Sequence, residues 1–151
     1  MDGVIADFDH AYIKRFGITP AEADQGKEFY KHFDEFIAER DFANLPLMQD
    51  AQILLNFLDS TGIPVEILSS TSSEKRHDAI APQKTEWLLK HGITYPINLV
   101  PGKRHKRTYA KPDHLLIDDT AQNIDQWRTD GGIGILHTDA LTTIGIMKMY
   151  I

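Results

Sequence analysis

The chain has 151 residues, 42% of them hydrophobic and 25% charged, with a formal net charge of −6; this is the profile of one soluble domain able to bury a core without staples. It contains no cysteine, which excludes disulfides, thiolate zinc sites and thiol nucleophiles and suits a reducing cytoplasm. No apolar run approaches the roughly 20 residues of a membrane helix. The start, Met1-Asp2-Gly3-Val4, has nothing of a signal peptide, and the acidic balance argues against a nucleic-acid polymer as partner.

In chain order, Val4-Ile5-Ala6 is a short apolar run flanked by acids. From His10 to Arg40 the texture is helical, with Phe29, Phe33, Phe36 and Ile37 at helical spacing. Asn44 and Pro46 break the pattern and mark a connection over 42–47. Ala51, Leu54, Leu55 and Leu58 predict an amphipathic helix that Gly62 ends. A strand is expected over Pro64–Leu68, followed by the polar cluster Ser69 to Ser73. Next come a helix from about Pro82 to His91, a strand Ile97 to Val100, and the basic run Lys103 to Arg107. A third apolar run, His114 to Ile117, stops at Asp118-Asp119. A helix with Ile124 and Trp127, a strand Ile133 to Leu136 and an apolar, helical tail from Asp139 complete the chain.

Strands alternating with helices from Ala51 onward imply βαβ units and a mainly parallel sheet. Ligands of such sheets bind beyond the carboxyl ends of the strands. The residues there are Asp2, Asp7 and Asp9, then Ser69-Ser70-Thr71, then Asp118-Asp119. Lys84 opens a helix towards the same crevice. Carboxylates with hydroxyls and a lysine suit a hard cation and a phosphate, because magnesium takes one or two carboxylates plus phosphate oxygens. The histidines have no zinc-ligand spacing.

Residues 1–8, Met-Asp-Gly-Val-Ile-Ala-Asp-Phe, resemble the first motif of haloacid-dehalogenase-type hydrolases. Ile67-Leu68-Ser69 resembles the second motif, Lys84 the third-motif lysine, and Leu115-Leu116-Ile117-Asp118-Asp119 the acidic fourth. With Asn44-Leu45-Pro46 and Lys84-Thr85-Glu86-Trp87, the order of segments is most similar to the 5'(3')-deoxyribonucleotidase branch. The resemblance implies a three-layer α/β/α Rossmann-like parallel sheet in a single domain spanning 1–151. A small helical cap, residues about 10–45, would be inserted after the first strand. It further implies magnesium-dependent hydrolysis of a small phosphomonoester, a (deoxy)nucleoside monophosphate in that branch. Asp2 would be the acid/base group and Ser69 and Lys84 would hold the transferring phosphoryl group. Ser70, Thr71 and Lys106 would contact substrate, and Asp118 and Asp119 would hold the magnesium.

One departure matters. The family nucleophile stands two positions before the acid/base aspartate, hence before Met1, together with most of the first strand. A truncated or misassigned start is the expected reason, and a non-catalytic domain of the same fold is the alternative reading. Asp7-Phe8-Asp9 offers a second Asp-x-Asp, although Asp7 and Asp9 also suit a helix cap. The apolar tail offers a replacement strand. Lys103 to Arg107 reads as a solvated loop by default, with Lys106 the exception that reaches the site.

Overall fold

The computed structural model describes residues 1–151. Three helices come first: α1 (Phe8–Phe16), α2 (Pro20–Gln25) and α3 (Phe29–Ala38), followed by a 3₁₀ turn at Asp41–Asn44. Then follow α4 (Ala51–Thr61), β1 (Ile67–Ser70), α5 (Glu74–Lys90), β2 (Ile97–Val100), a 3₁₀ segment at Lys103–Tyr109, β3 (Leu115–Asp118), α6 (Ala121–Thr129), β4 (Ile133–Leu136) and α7 (Ala140–Met147). The chain is thus mixed α/β. Its strands form two parallel pairs, β1 with β2 and β3 with β4, each a separate two-stranded sheet. No helix is long and apolar enough to cross a membrane.

Several elements differ from expectation for local reasons. Val4-Ile5-Ala6 is a turn, not a strand. The Met1 carbonyl accepts from the N–H groups of Val4, Ile5 and Ala6 at 3.2, 2.9 and 3.2 Å, and only isolated bridges join Asp2 to Ala6 and Ala6 to Leu47. The helical block therefore follows a turn instead of a first strand. Asp7 caps α1 by accepting from His10 N–H at 3.1 Å, the capping role that its residue type favours. β1 begins at Ile67, later than Pro64, so Ser69 and Ser70 belong to the strand itself. α5 begins at Glu74, and Pro82 lies inside it although proline removes one helical hydrogen bond. What holds this helix is its buried face, Ile80, Lys84, Trp87 and Leu88, which recurs at the helical interval. The replacement strand expected of the tail, Met147 to Ile151, is not formed: α7 ends at Met147 and residues 148–150 are a turn.

Two apolar clusters sandwich the strands. The larger joins Met1, Val4 and Ile5 to Tyr12, Phe33 and Phe36 of the helical block, Leu54 of α4, Ile67 of β1, Trp87 of α5 and Ile144 of α7. The smaller contains Leu116, Ile124 and Trp127, with Leu68 and Ala110 packed against it. Successive strand side chains point to opposite faces. Ile67 and Ile117 accordingly pack into the large cluster, while Leu68 and Leu116 pack into the small one. Within the large cluster Phe8 stacks on Phe42 at 5.6 Å and meets Phe36 edge-on at 5.2 Å. Three α5 side chains hold backbone carbonyls of the helical block: Gln83 Nε2 donates to Ile37 O at 2.9 Å, Trp87 Nε1 to Leu45 O at 2.7 Å, and Lys90 Nζ to Ala43 O at 3.0 Å.

Candidate active site

The carboxyl ends of β1 and β3, the Met1–Gly3 turn and the start of α1 close around a cavity of about 540 Å³. Asp2, Ser69, Ser70, Lys84, Lys106, Asp118 and Asp119 all line it. A larger, open depression of about 860 Å³ on the outer face of α5 gathers no comparable set of paired acids and bases.

On one side, Lys84 projects from the buried face of α5 and is 2% exposed. Its ammonium donates to Asp2 Oδ2 at 2.6 Å, Ser69 Oγ at 2.9 Å and the Ser70 carbonyl at 2.7 Å. Three acceptors use up its three protons, which is what a buried ammonium requires. Burial pushes the Asp2 carboxyl up, but Lys84 and the Met1 amino group outweigh it and hold Asp2 below the usual carboxylate range. Asp2 Oδ1 is buried with no hydrogen-bond partner.

On the other side, Lys106 donates to Asp118 Oδ2 at 2.7 Å. Asp118 Oδ1 accepts from Thr120 N–H at 2.9 Å, and Asn123 Nδ2 lies 3.2 Å from both carboxylate oxygens. Burial alone would raise the Asp118 carboxyl, yet Lys106 and the Thr120 N–H bring it below its ordinary value. Its neighbour Asp119 behaves oppositely: burial, then repulsion from Asp118, pushes it up. Gly3, at φ 72°, sits against that carboxylate. A Cβ at position 3 would fall 1.9 Å from Asp119 Oδ2, so the backbone approach demands glycine. Between the two Lys–Asp pairs lies the Met1 amino group, lowered to about 6 by burial and then by Lys106.

A resident magnesium can be tested against these donors. No group of three or more His, Cys, Asp or Glu stands close enough to hold a metal by itself. Magnesium needs only one or two protein carboxylates. The orphaned Asp2 Oδ1 and the cation-poor Asp119 fit that demand, whereas the oxygens of Asp118 are already engaged by Lys106, Asn123 and Thr120. The cavity wall as a whole carries Asp2, Asp7, Asp9, Asp118 and Asp119 against Lys84, Lys103 and Lys106, an acidic excess that favours an added cation wherever a phosphate is bound.

Thr71 is the one sequence candidate that the fold withdraws from the cavity. It is fully buried, and its hydroxyl donates to Val100 O at 3.1 Å and meets His77 Nδ1 at 2.7 Å. Conversely, Asn123, Thr120 and Lys103 belong to the wall without having been singled out. Asn123 was discoverable, since a residue five positions after Asp118 falls in the first turn of the next helix. Phe29, Tyr30, Phe33 and Phe42 add an aromatic wall to the cavity. The chain matches no protein-family model, no curated protein and no solved structure.

Proposed function

We propose that this chain carries the phosphate site of a magnesium-dependent phosphomonoester hydrolase of the haloacid-dehalogenase type, with a (deoxy)nucleoside monophosphate as substrate class. The single observation that carries the reading is the Lys84 ammonium, which joins Ser69 and Ser70 to Asp2, a residue 82 positions from the lysine in sequence. In the same proposal the two strand pairs are halves of one three-layer, Rossmann-like sheet and the enzyme works in the cytoplasm.

In this scheme the Ser69 hydroxyl and Lys84 hold the transferring phosphoryl oxygens, and Lys106 meets them from the opposite side. The family register puts the nucleophile outside residues 1–151, and Asp2 serves the leaving group and then the attacking water. A bound phosphate competes with Asp2 for Lys84. Loosening that ion pair lets Asp2 take up the proton that the leaving group needs. Bound magnesium would neutralise charge on the phosphoryl oxygens, and the Asp119 carboxylate would hold it.

The test is magnesium-dependent phosphate release from para-nitrophenyl phosphate and from a panel of nucleoside monophosphates. It compares residues 1–151 with a version extended ahead of Met1 by an apolar strand ending in Asp. Activity in the extended chain, abolished by Asp2→Asn, is the expected result. Activity in residues 1–151 that Asp7→Asn abolishes would instead make Asp7 the nucleophile. A second reading, a domain that binds phosphate without turnover, is favoured by the ionised state of Asp2. It predicts phosphate binding that weakens in Lys84→Met, with no release from either chain.

A further inference from the structure

Most carboxylates of the cavity wall are already engaged. Asp2 is paired with Lys84 and Asp118 with Lys106, Asp7 accepts from the His10 N–H, and Asp119 is the proposed holder of magnesium. Asp9 also lines the cavity, exposed at its mouth, and no donor or cation of the protein meets its carboxylate. Burial, then the charges of Asp7 and Asp2, push that carboxyl above its ordinary value. Its place in the first turn of α1 suits the helix dipole, but Asp7 already caps that helix. What sets Asp9 apart is its surroundings. It follows Phe8, whose ring meets Phe33 edge-on at 6.3 Å, and Phe33 in turn stacks on Phe29 at 5.3 Å. Tyr30 is backed by the Arg76 guanidinium, 5.0 Å from the ring centre, and Arg76 is fixed by donating to Asp34 Oδ1 at 2.8 Å. Phe8, Phe29, Tyr30 and Phe33 line the same cavity as Asp9.

We infer that Asp9 is a specificity-determining residue, which accepts a hydrogen bond from the exocyclic amino group of an amino-bearing base such as cytosine while the aromatic wall holds the plane of that base. The inference deepens the proposed function and rests on its phosphate site. Aromatic side chains favour a flat ring laid against their faces or edges. An ionised carboxylate is an acceptor only, so the matching group on the base is a donor, and the amino group of cytosine is the donor that aspartate characteristically meets. A base lying on the wall would also screen Asp9 from water, and an acceptor screened in that way needs its partner most. Asp7 and Asp2 sharpen the demand for a donor at this point. No cavity lysine answers it from the paired walls, since Lys84 is spent on Asp2, Ser69 and Ser70 and Lys106 is turned to Asp118.

The test is equilibrium titration of residues 1–151, in magnesium, with three ligands: inorganic phosphate, dCMP, and the dCMP analogue that carries hydrogen in place of the 4-amino group. The two nucleotides keep the same ring acceptors and differ in the donor alone. Expected is binding of dCMP about tenfold tighter than the analogue, the scale of one hydrogen bond to a charged group. In Asp9→Ala that ratio falls to about one, while inorganic phosphate still binds. Equal binding of the two nucleotides by the unaltered chain, a ratio unchanged in Asp9→Ala, or phosphate bound without either nucleotide would overturn the inference and leave the phosphate site standing. Loss of phosphate binding in Asp9→Ala would also overturn it, by making Asp9 a structural residue. Failure of the unaltered chain to bind phosphate at all would remove the proposed function, and this inference with it.

Discussion

The cavity has two walls built from the same pair of residue types, and they are saturated in opposite senses. In the Asp2–Lys84 wall the lysine is the exhausted partner, because its three protons go to Asp2, Ser69 and Ser70 while Asp2 Oδ1 is left over. In the Asp118–Lys106 wall the carboxylate is the exhausted partner, held by Lys106, Asn123 and Thr120 while Lys106 makes one side-chain bond. One wall therefore offers a spare acceptor and the other spare donors.

The largest expected effect comes from removing Lys84. Lys84→Met leaves the half-buried Asp2 carboxylate and the Ser69 and Ser70 acceptors without their cation and should cost about 2–4 kcal/mol in urea unfolding. Lys106→Met should cost less, about 1–3 kcal/mol, because Asp118 keeps Asn123 and the Thr120 N–H. Equal losses, or the reverse order, would break the contrast between the walls.

The Met1 amino group between them gives a pH signature. Its pKa falls from 8.0 to about 6 on folding, so between those values the unfolded state binds the proton that the folded state refuses. Stability of residues 1–151 should therefore rise as pH goes from about 6 to about 8, by up to about 2–3 kcal/mol. Acetylation of Met1 should flatten that slope. The depressed carboxyls of Asp2 and Asp118 act at the acid end: their contribution is present above the ordinary value near 4 and is lost as pH falls through their folded values.

The smallest effect sharpens the Asp118 side. Asn123→Ala removes a donor from an otherwise satisfied carboxylate and should cost about 1–2 kcal/mol. A double-mutant cycle with Lys106→Met should show coupling, because both residues bond Asp118 Oδ2.

Much of this site was legible because reactive residues stand where apolar runs stop. Ser69 and Asp118-Asp119 follow Ile67-Leu68 and Leu115-Leu116-Ile117, and a parallel arrangement brings such ends together. Lys84 was legible only through the family register. What buries it is the α5 face shared with Ile80, Trp87 and Leu88, and that face was obscured when Pro82 was read as the helix start. The Val4–Ala6 run is too short for a strand, and the Met1 carbonyl gathers its three N–H groups into a turn. Thr71 misled because it lies one residue past β1, and its bond to Val100 O depends on a partner 29 residues distant.

The three bonds from α5 to the helical block have a mechanical meaning. Gln83, Trp87 and Lys90 grip backbone carbonyls of Ile37, Leu45 and Ala43, and Lys84 stands among them on the same helix. The block with its aromatic wall and the lysine that bridges Asp2 and Ser69 are thus parts of one lever. A swing of the block as a hinged lid would drag α5 and pull the ammonium off its acceptors. Entry to the cavity would then come from its open side, with selection among ligands made by the fixed outline of Phe29, Tyr30, Phe33 and Phe42 instead of by closure.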